Sequence, residues 1–155
     1  MNDHRLAFSS IGELSGMLAS RKISAQELVS VFIHRIQKLN PQSYAFIEVT
    51  EDSAMKAAAQ HDRHERLGPL NSIPFASKDL IDVANVRTTA GSRVLADNIA
   101  QHDATIISRM TAAGAISLGK LNLHEFAYGA TGAGKTFTML GSKVFNLRKE
   151  LRKKD

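Results

Sequence analysis

Apolar residues begin to recur at helical spacing early in the chain, each time just after a serine that has a glutamate three positions on. Ser10-Ile-Gly-Glu13 and Ser24-Ala-Gln-Glu27 both fit the capping box, in which serine and glutamate satisfy each other's exposed backbone donors. The first predicts a helix to about Ser20 and the second a helix to about Leu39. In the second, Leu28, Val31, Phe32, Ile36 and Leu39 form a core-facing stripe, and Asn40-Pro41 predicts its end. Tyr44 to Thr50 is β-branched and aromatic enough for a strand. Glu51 to Leu67 predicts an alanine-rich helix in which Ala54, Ala57 and Ala58 pack closely, ended by Gly68-Pro69.

The second half alternates shorter signals. Ile73 to Ala76 predicts a buried strand running into Lys78, and residues 82–103 read mostly as loop. Asp103 is placed to cap a helix through Ala113, Gly114 to close it, and Ala115 to Leu118 to form a second short apolar strand. Helices alternating with short apolar strands predict an α/β layered fold around a small, mixed or mostly parallel sheet. Val144, Leu147 and Leu151 recur at helical spacing among six basic residues between Lys143 and Asp155, which predicts a basic C-terminal helix.

Charge divides the chain near the end of this pattern. Residues 1–134 hold thirteen basic and thirteen acidic residues, while residues 135–155 hold seven basic and two acidic ones. The whole net charge of +5 therefore belongs to the tail, and no nucleic-acid or membrane partner is expected from it. There is no cysteine, which excludes disulfides and thiolate metal sites. No signal peptide or bilayer-length apolar run is read, so a cytoplasmic protein is expected.

Four blocks then carry a resemblance. They are Gly68-Pro-Leu-Asn-Ser-Ile-Pro-Phe-Ala-Ser-Lys-Asp-Leu-Ile-Asp82, Thr88-Thr-Ala-Gly-Ser92, Asp103-Ala-Thr followed by Gly114-Ala-Ile-Ser-Leu-Gly-Lys120, and Asn122-Leu-His-Glu-Phe-Ala-Tyr-Gly129. In this order they resemble the first part of the amidase signature family, from about residue 8 to residue 132. The resemblance implies amide hydrolysis by a Ser–cis-Ser–Lys triad, with Lys78 in the place of the catalytic lysine. Burial among apolar groups would let that amine act as a general base. No Gly-Gly-Ser-Ser run is present, so both serines and the glycine-rich oxyanion donors that the family implies are missing. Lys78 is accordingly expected to be structural or vestigial, salt-bridged to Asp79 or Asp82 or simply exposed, and the chain catalytically inactive. Ser77 and Lys78, adjacent on a strand, should point to opposite faces. Ser72 and Asn85 stand where the family has glycine, and Arg87 where it has proline.

Gly129-Ala-Thr-Gly-Ala-Gly-Lys-Thr136 also satisfies the phosphate-loop pattern, and its continuation to Gly141 resembles a kinesin motor domain. That resemblance implies Mg-ATP held by Gly129, Gly132, Gly134, Lys135 and Thr136, with Lys135 on the phosphates and Thr136 on magnesium. The two resemblances overlap at Ala127 to Gly132, so the chain reads as a chimera or a generated sequence: a truncated amidase-like domain over 1–132 and a phosphate-loop remainder with basic tail over 133–155. A phosphate loop needs a preceding strand, whereas Asn122 to Tyr128 reads as a helical turn. The expectation is therefore a glycine-rich turn, with no cofactor unless the nucleotide reading holds.

The remaining candidates are weaker. His61 and His64 share a helix face without a third ligand, beside Asp62, Arg63, Glu65 and Arg66, which mark it as solvated; no metal site is expected. His124-Glu125 lacks the second histidine of a zinc-protease motif, because Tyr128 occupies it. An amidase-like sheet that stops early leaves edges and an apolar face open, so self-association is the partner expectation. Amide hydrolase, nucleotide binder and interaction-only domain remain the three classes of function.

Overall fold

The computed structural model describes residues 3–63 and 67–129. A short helix, α1 (Asp3–Phe8), precedes two helices that begin as the serine–glutamate pairs predict. In α2 (Ile11–Ala19), Ser10 Oγ accepts from Glu13 N at 3.2 Å while Ser10 N donates to the Glu13 carboxylate at 2.7 Å. In α3 (Ala25–Ser43), the matching distances for Ser24 and Glu27 are 3.0 and 2.8 Å. These bonds hold both glutamate carboxyls below the ordinary glutamate range, the backbone N–H of the serine first and its hydroxyl second.

α3 has a second cap. The Asp62 carboxylate accepts from Ala25 N at 2.6 Å and Gln26 N at 3.2 Å, placing a negative charge at a helix N-terminus where unpaired donors converge. The face containing His61 and Asp62 is therefore more than a solvated surface.

α3 also runs past the expected stop, with Pro41 inside it. Proline forfeits only one helical bond, and the turn is completed beyond it. Tyr44, in the left-handed region at φ 48°, donates its N–H to the Asn40 carbonyl at 2.8 Å. Asn40 then clamps the next segment, accepting from Phe46 N at 2.8 Å and donating to Phe46 O at 3.1 Å. The buried stripe differs from the predicted one as well. Ala25, Leu28, Val29 and Ile33 are the buried apolar residues, and Val31, Phe32 and Ile36 flank them. α3 is wedged between two clusters, so its apolar arc is wider than a single stripe. Val29 and Ile33 pack with Ala54, Ala58, Ile116 and Leu118, and Leu28 packs with Leu6, Leu14, Ile23 and Ile73.

The strand β1 (Phe46–Val49) leads directly into α4 (Glu51–Arg63), whose Ala54 and Ala58 are buried and whose Ala57 is partly so. The expected end of this helix near Gly68 lies partly outside the described residues. The strand β2 (Pro74–Lys78) follows, then a long loop with one 3-10 turn at Arg93–Leu95. α5 (Thr105–Ala112) begins without the predicted aspartate cap: its N-cap is Ala104, and the Asp103 carboxylate accepts instead from Ala84 N at 2.7 Å, tying the long loop to the helix start. Gly114 closes α5 at φ 89° as predicted.

The strand β3 (Ile116–Leu121) is longer than the apolar run that announced it and lies at the centre of a mixed sheet, order β1-β3-β2. It is antiparallel to β1 and parallel to β2. The chain is thus an α/β fold with helices around a small mixed sheet. Gly119 makes the centre possible: its φ is 143°, and a Cβ there would collide with the Glu48 backbone.

Candidate functional site

Lys78 is the last residue of β2, and strand alternation decides what surrounds it. Ser77 is buried and Lys78 exposed, on opposite faces as the strand geometry requires. The covering that a buried general base needs is not made by the described residues, because β2 is an edge strand and Lys78 leaves it at its open end. Among the described residues Lys78 forms no ion pair with Asp79 or Asp82. Asp79 is committed elsewhere, and simple exposure is the outcome of the three that the sequence left open.

Asp79 turns into the protein and is fully buried, as is Lys120 on β3, each at 0% exposure. Lys120 Nζ lies 3.2 Å from Asp79 Oδ1, donates to Thr88 Oγ1 at 2.8 Å and reaches the Arg87 carbonyl at 3.3 Å. The other carboxylate oxygen, Oδ2, accepts from Thr89 N at 3.0 Å and from Thr89 Oγ1. Asp79 Oδ1 takes no aligned hydrogen bond, so its contact with Lys120 is ionic rather than directional. Two buried charges are tolerated only when each is paired and hydrogen-bonded. Here the partners come from three separate segments, the end of β2, β3 and the loop at residues 87–89.

The same pair therefore sets the loop beside Lys78. Asp79 N donates to the Leu121 carbonyl at 3.0 Å and Ala90 N to the Asp79 carbonyl at 2.9 Å. Ala90 and Gly91 are consecutive left-handed residues at φ 53° and 66°, and a Cβ on Gly91 would come within 3.1 Å of the Leu123 carbonyl. Ser92, buried, accepts from Val94 N at 3.2 Å. The Thr88–Ser92 block is thus a tight turn pressed onto the end of β3. Ser77 Oγ, by contrast, is buried without a hydrogen-bond partner among the described residues.

In the sequence Asp79 stands out only as a neighbour of Lys78, and Lys120 only as part of a block. A charge at the end of an apolar strand is ordinarily exposed, so nothing in the sequence around Lys120 signals its burial. The positions at 72 and 85 had a clearer signal. Both residues are left-handed at φ 63°, which is why glycine suits them. Asparagine tolerates the conformation, and Ser72 is held through its Oγ, which accepts from Asn71 Nδ2 at 3.3 Å and shares a hydrogen bond with His61 Nδ1 at 3.2 Å. His61 thus has a hydroxyl partner, and His64 lies outside the described residues. Among the described residues no group of three His, Asp or Glu is placed to hold a metal ion.

Of the phosphate-loop residues, Gly129 alone is described; Gly132, Gly134, Lys135 and Thr136 lie outside the described residues, as does the basic tail. The segment before Gly129, Glu125–Ala127, is a tight 3-10 turn that carries Phe126 and Ala127 in the left-handed region at φ 50° and 56°. It is a turn where the sequence predicts one but not a regular helical one, and it is not the strand that a phosphate loop requires. Gly129 packs against His124, whose ring would lie 2.9 Å from an added Cβ. A hollow of about 640 Å3 beside Ser72 and another of about 730 Å3 beside Asn85 do not include Lys78 in their walls. Among the described residues no helix is long and apolar enough to cross a membrane.

The profile of the family described as Amidase matches residues 27–141 of this chain. The match extends past Gly132, so the stretch that resembles the kinesin loop falls within it. A glutamyl-tRNA(Gln) amidotransferase subunit of Methylobacillus flagellatus is 44% identical over 125 residues, covering 79% of this chain and 26% of that protein. The corresponding protein of Pseudomonas aeruginosa is 40% identical over 124 residues, again covering 26% of its length. The chain spans about a quarter of the length of these curated relatives. Among solved structures, the peptide amidase of Stenotrophomonas maltophilia superposes with a TM-score of 0.77 at 31% identity, over 86% of this chain and 30% of that one. A fatty acid amide hydrolase superposes at 0.83 with 20% identity, over 89% of this chain and 25% of its own, a likeness of fold alone.

Proposed function

This chain belongs to the amidase family, and on that footing we propose that it carries the lysine-bearing part of a carbon–nitrogen hydrolase site, with Lys78 as the proton-handling lysine. One observation carries the reading. Lys78 alone of the Ser77-Lys-Asp79 run projects outward, while the residues on either side are buried and Asp79 is locked to β3 and to the Thr88–Ser92 turn. An amine presented from so fixed a base can meet a nucleophile in a defined geometry, which is what general-base catalysis needs. In its neutral form it would take a proton relayed from an attacking serine and return it to the leaving amine.

The nucleophile is a separate matter. The family's triad needs two serines besides the lysine, and these 155 residues contain no Gly-Gly-Ser-Ser run. The covalent step and the oxyanion stabilisation are therefore not available from the chain by itself, and we propose that it does not turn over amides alone. Mg-ATP binding through Gly129–Thr136 is a second reading, favoured by the complete phosphate-loop pattern in the sequence.

The lysine assignment is tested by grafting residues 68–129 in place of the matching segment of the Stenotrophomonas maltophilia peptide amidase. The graft is expected to hydrolyse its peptide amides, and Lys78→Ala within it to lose at least about a hundredfold in kcat, the loss typical of removing a general base. A folded, active graft whose Lys78→Ala variant keeps full kcat would refute the assignment.

A further inference from the structure

We propose that the buried Asp79–Lys120 pair, with Thr88 and Thr89, is a positioning device for Lys78; the inference rests on the reading of Lys78 as the proton-handling lysine. The observations are geometric. Asp79 directly follows Lys78, so whatever fixes Asp79 fixes the direction in which the Lys78 side chain leaves β2. Its N–H is bound to Leu121 at 3.0 Å and its carbonyl to Ala90 at 2.9 Å. Its carboxylate is bound by both donors of Thr89 and by Lys120, and Lys120 returns to Thr88 at 2.8 Å. Every link of Asp79 joins the end of β2 either to β3 or to the Thr88–Ser92 turn, and the Lys120–Thr88 bond ties those two together.

An ordinary core contact would not look like this. Two charges at 0% exposure are an expensive way to stabilise a core, since apolar residues of similar volume often do as well or better. The hydrogen bonds around the pair do supply direction: Thr89 binds Asp79 Oδ2 through both of its donors, and Lys120 Nζ donates to Thr88 Oγ1. The carboxylate can be satisfied in one orientation only, with Oδ2 toward Thr89 and Oδ1 toward Lys120, so the strand end has a single low-energy setting. The turn is held in the same act. Thr89 Oγ1, while donating to Asp79, accepts from Gly91 N at 3.2 Å, which stabilises the left-handed backbone at Ala90 and Gly91.

The device predicts that loosening it frees Lys78 and the turn without opening the helical core. Thr89→Val removes the hydroxyl but leaves both charges paired, so it is the variant suited to the test; Lys120→Met, which strands the Asp79 charge, is its harsher companion. In this chain, hydrogen exchange of Thr89→Val should rise by about tenfold or more at the amides of Asp79, Ile81, Ala90 and Ser92, and stay unchanged at Val29 to Ile33 of α3. Lys120→Met should add a global loss of stability to this local pattern, so the comparison with α3 is made in Thr89→Val alone. In the graft, Thr89→Val should lower kcat by about tenfold with KM unchanged, because misplacing a reacting group costs rate rather than binding.

An exchange increase spread evenly through α3, α4 and the turn would overturn the inference, making the pair a plain contributor to core stability. So would unchanged kcat in Thr89→Val when Lys78→Ala abolishes turnover. Retained turnover in the Lys78→Ala graft would instead sink the reading of Lys78 and the positioning role together.

Discussion

Ser77, Lys78 and Asp79 are three polar residues in a row with three different fates, and strand geometry together with partner supply accounts for each. Lys78 points out at the open end of β2. Asp79 points in and finds Lys120 and Thr89. Ser77 points in and finds nothing among the described residues. An orphaned buried hydroxyl carries its desolvation cost without return, so Ser77→Ala is expected to be neutral or to stabilise by about 1 kcal/mol in urea unfolding. Lys120→Met leaves Asp79 as an uncompensated buried charge and should cost about 3–5 kcal/mol by the same measurement. A Ser77→Ala loss above about 1 kcal/mol would mean that the hydroxyl has a partner after all. At this scale the sequence was legible where backbone chemistry is local. The unusual residues at 72 and 85 coincide with left-handed positions, and both capping serines close their boxes. It was illegible where partners are distant, since 41 positions separate Asp79 from Lys120 and nothing in either neighbourhood names the other.

Among the elements, the helices with sequence-coded caps were read to within a residue or two at their starts, whereas ends decided by tertiary contacts were missed. α3 passes Pro41 because Asn40 clamps Phe46 and Tyr44 takes the left-handed turn. Asp103 fails as a cap because Ala84 N claims its carboxylate first. β3 outruns its apolar core because Lys120 is neutralised inside. The capping boxes also carry a pH signature. Glu13 and Glu27 are held below the ordinary glutamate range in the fold by the serine N–H and hydroxyl. Their contribution is therefore complete above that range and is lost as pH falls through the depressed folded values. Acidification should lower amide protection, exchange being compared with the unstructured rate at each pH, first at Ser10, Glu13, Ser24 and Glu27. In Glu13→Gln the α2 start should lose that acid sensitivity while α3 keeps it. Equal acid sensitivity of the α2 start in parent and variant would contradict this.

On the scale of the whole molecule, the α/β layering and the small mixed sheet follow from the alternation of helical and short apolar segments, and family membership follows from ordered blocks spread over most of the chain. The resemblance to a kinesin loop rests on a much shorter stretch, lies within the residues matched by the Amidase profile, and follows a 3-10 turn rather than a strand. Titration with Mg-ATP and with inorganic phosphate should therefore give no more than weak binding, with ATP no better than phosphate and Lys135→Ala little different from the parent. Micromolar Mg-ATP affinity that disappears in Lys135→Ala would establish the nucleotide reading. Lys78 without the family's paired serines remains the centre of the account. Its most direct test is the rate of amide hydrolysis by the purified 155-residue chain against short aliphatic, aryl and glutaminyl amides, beside Lys78→Ala. The account predicts that both proteins stay at the buffer rate on every substrate. Turnover by the parent that vanishes in Lys78→Ala would contradict it, because the chain would then possess a nucleophile of its own.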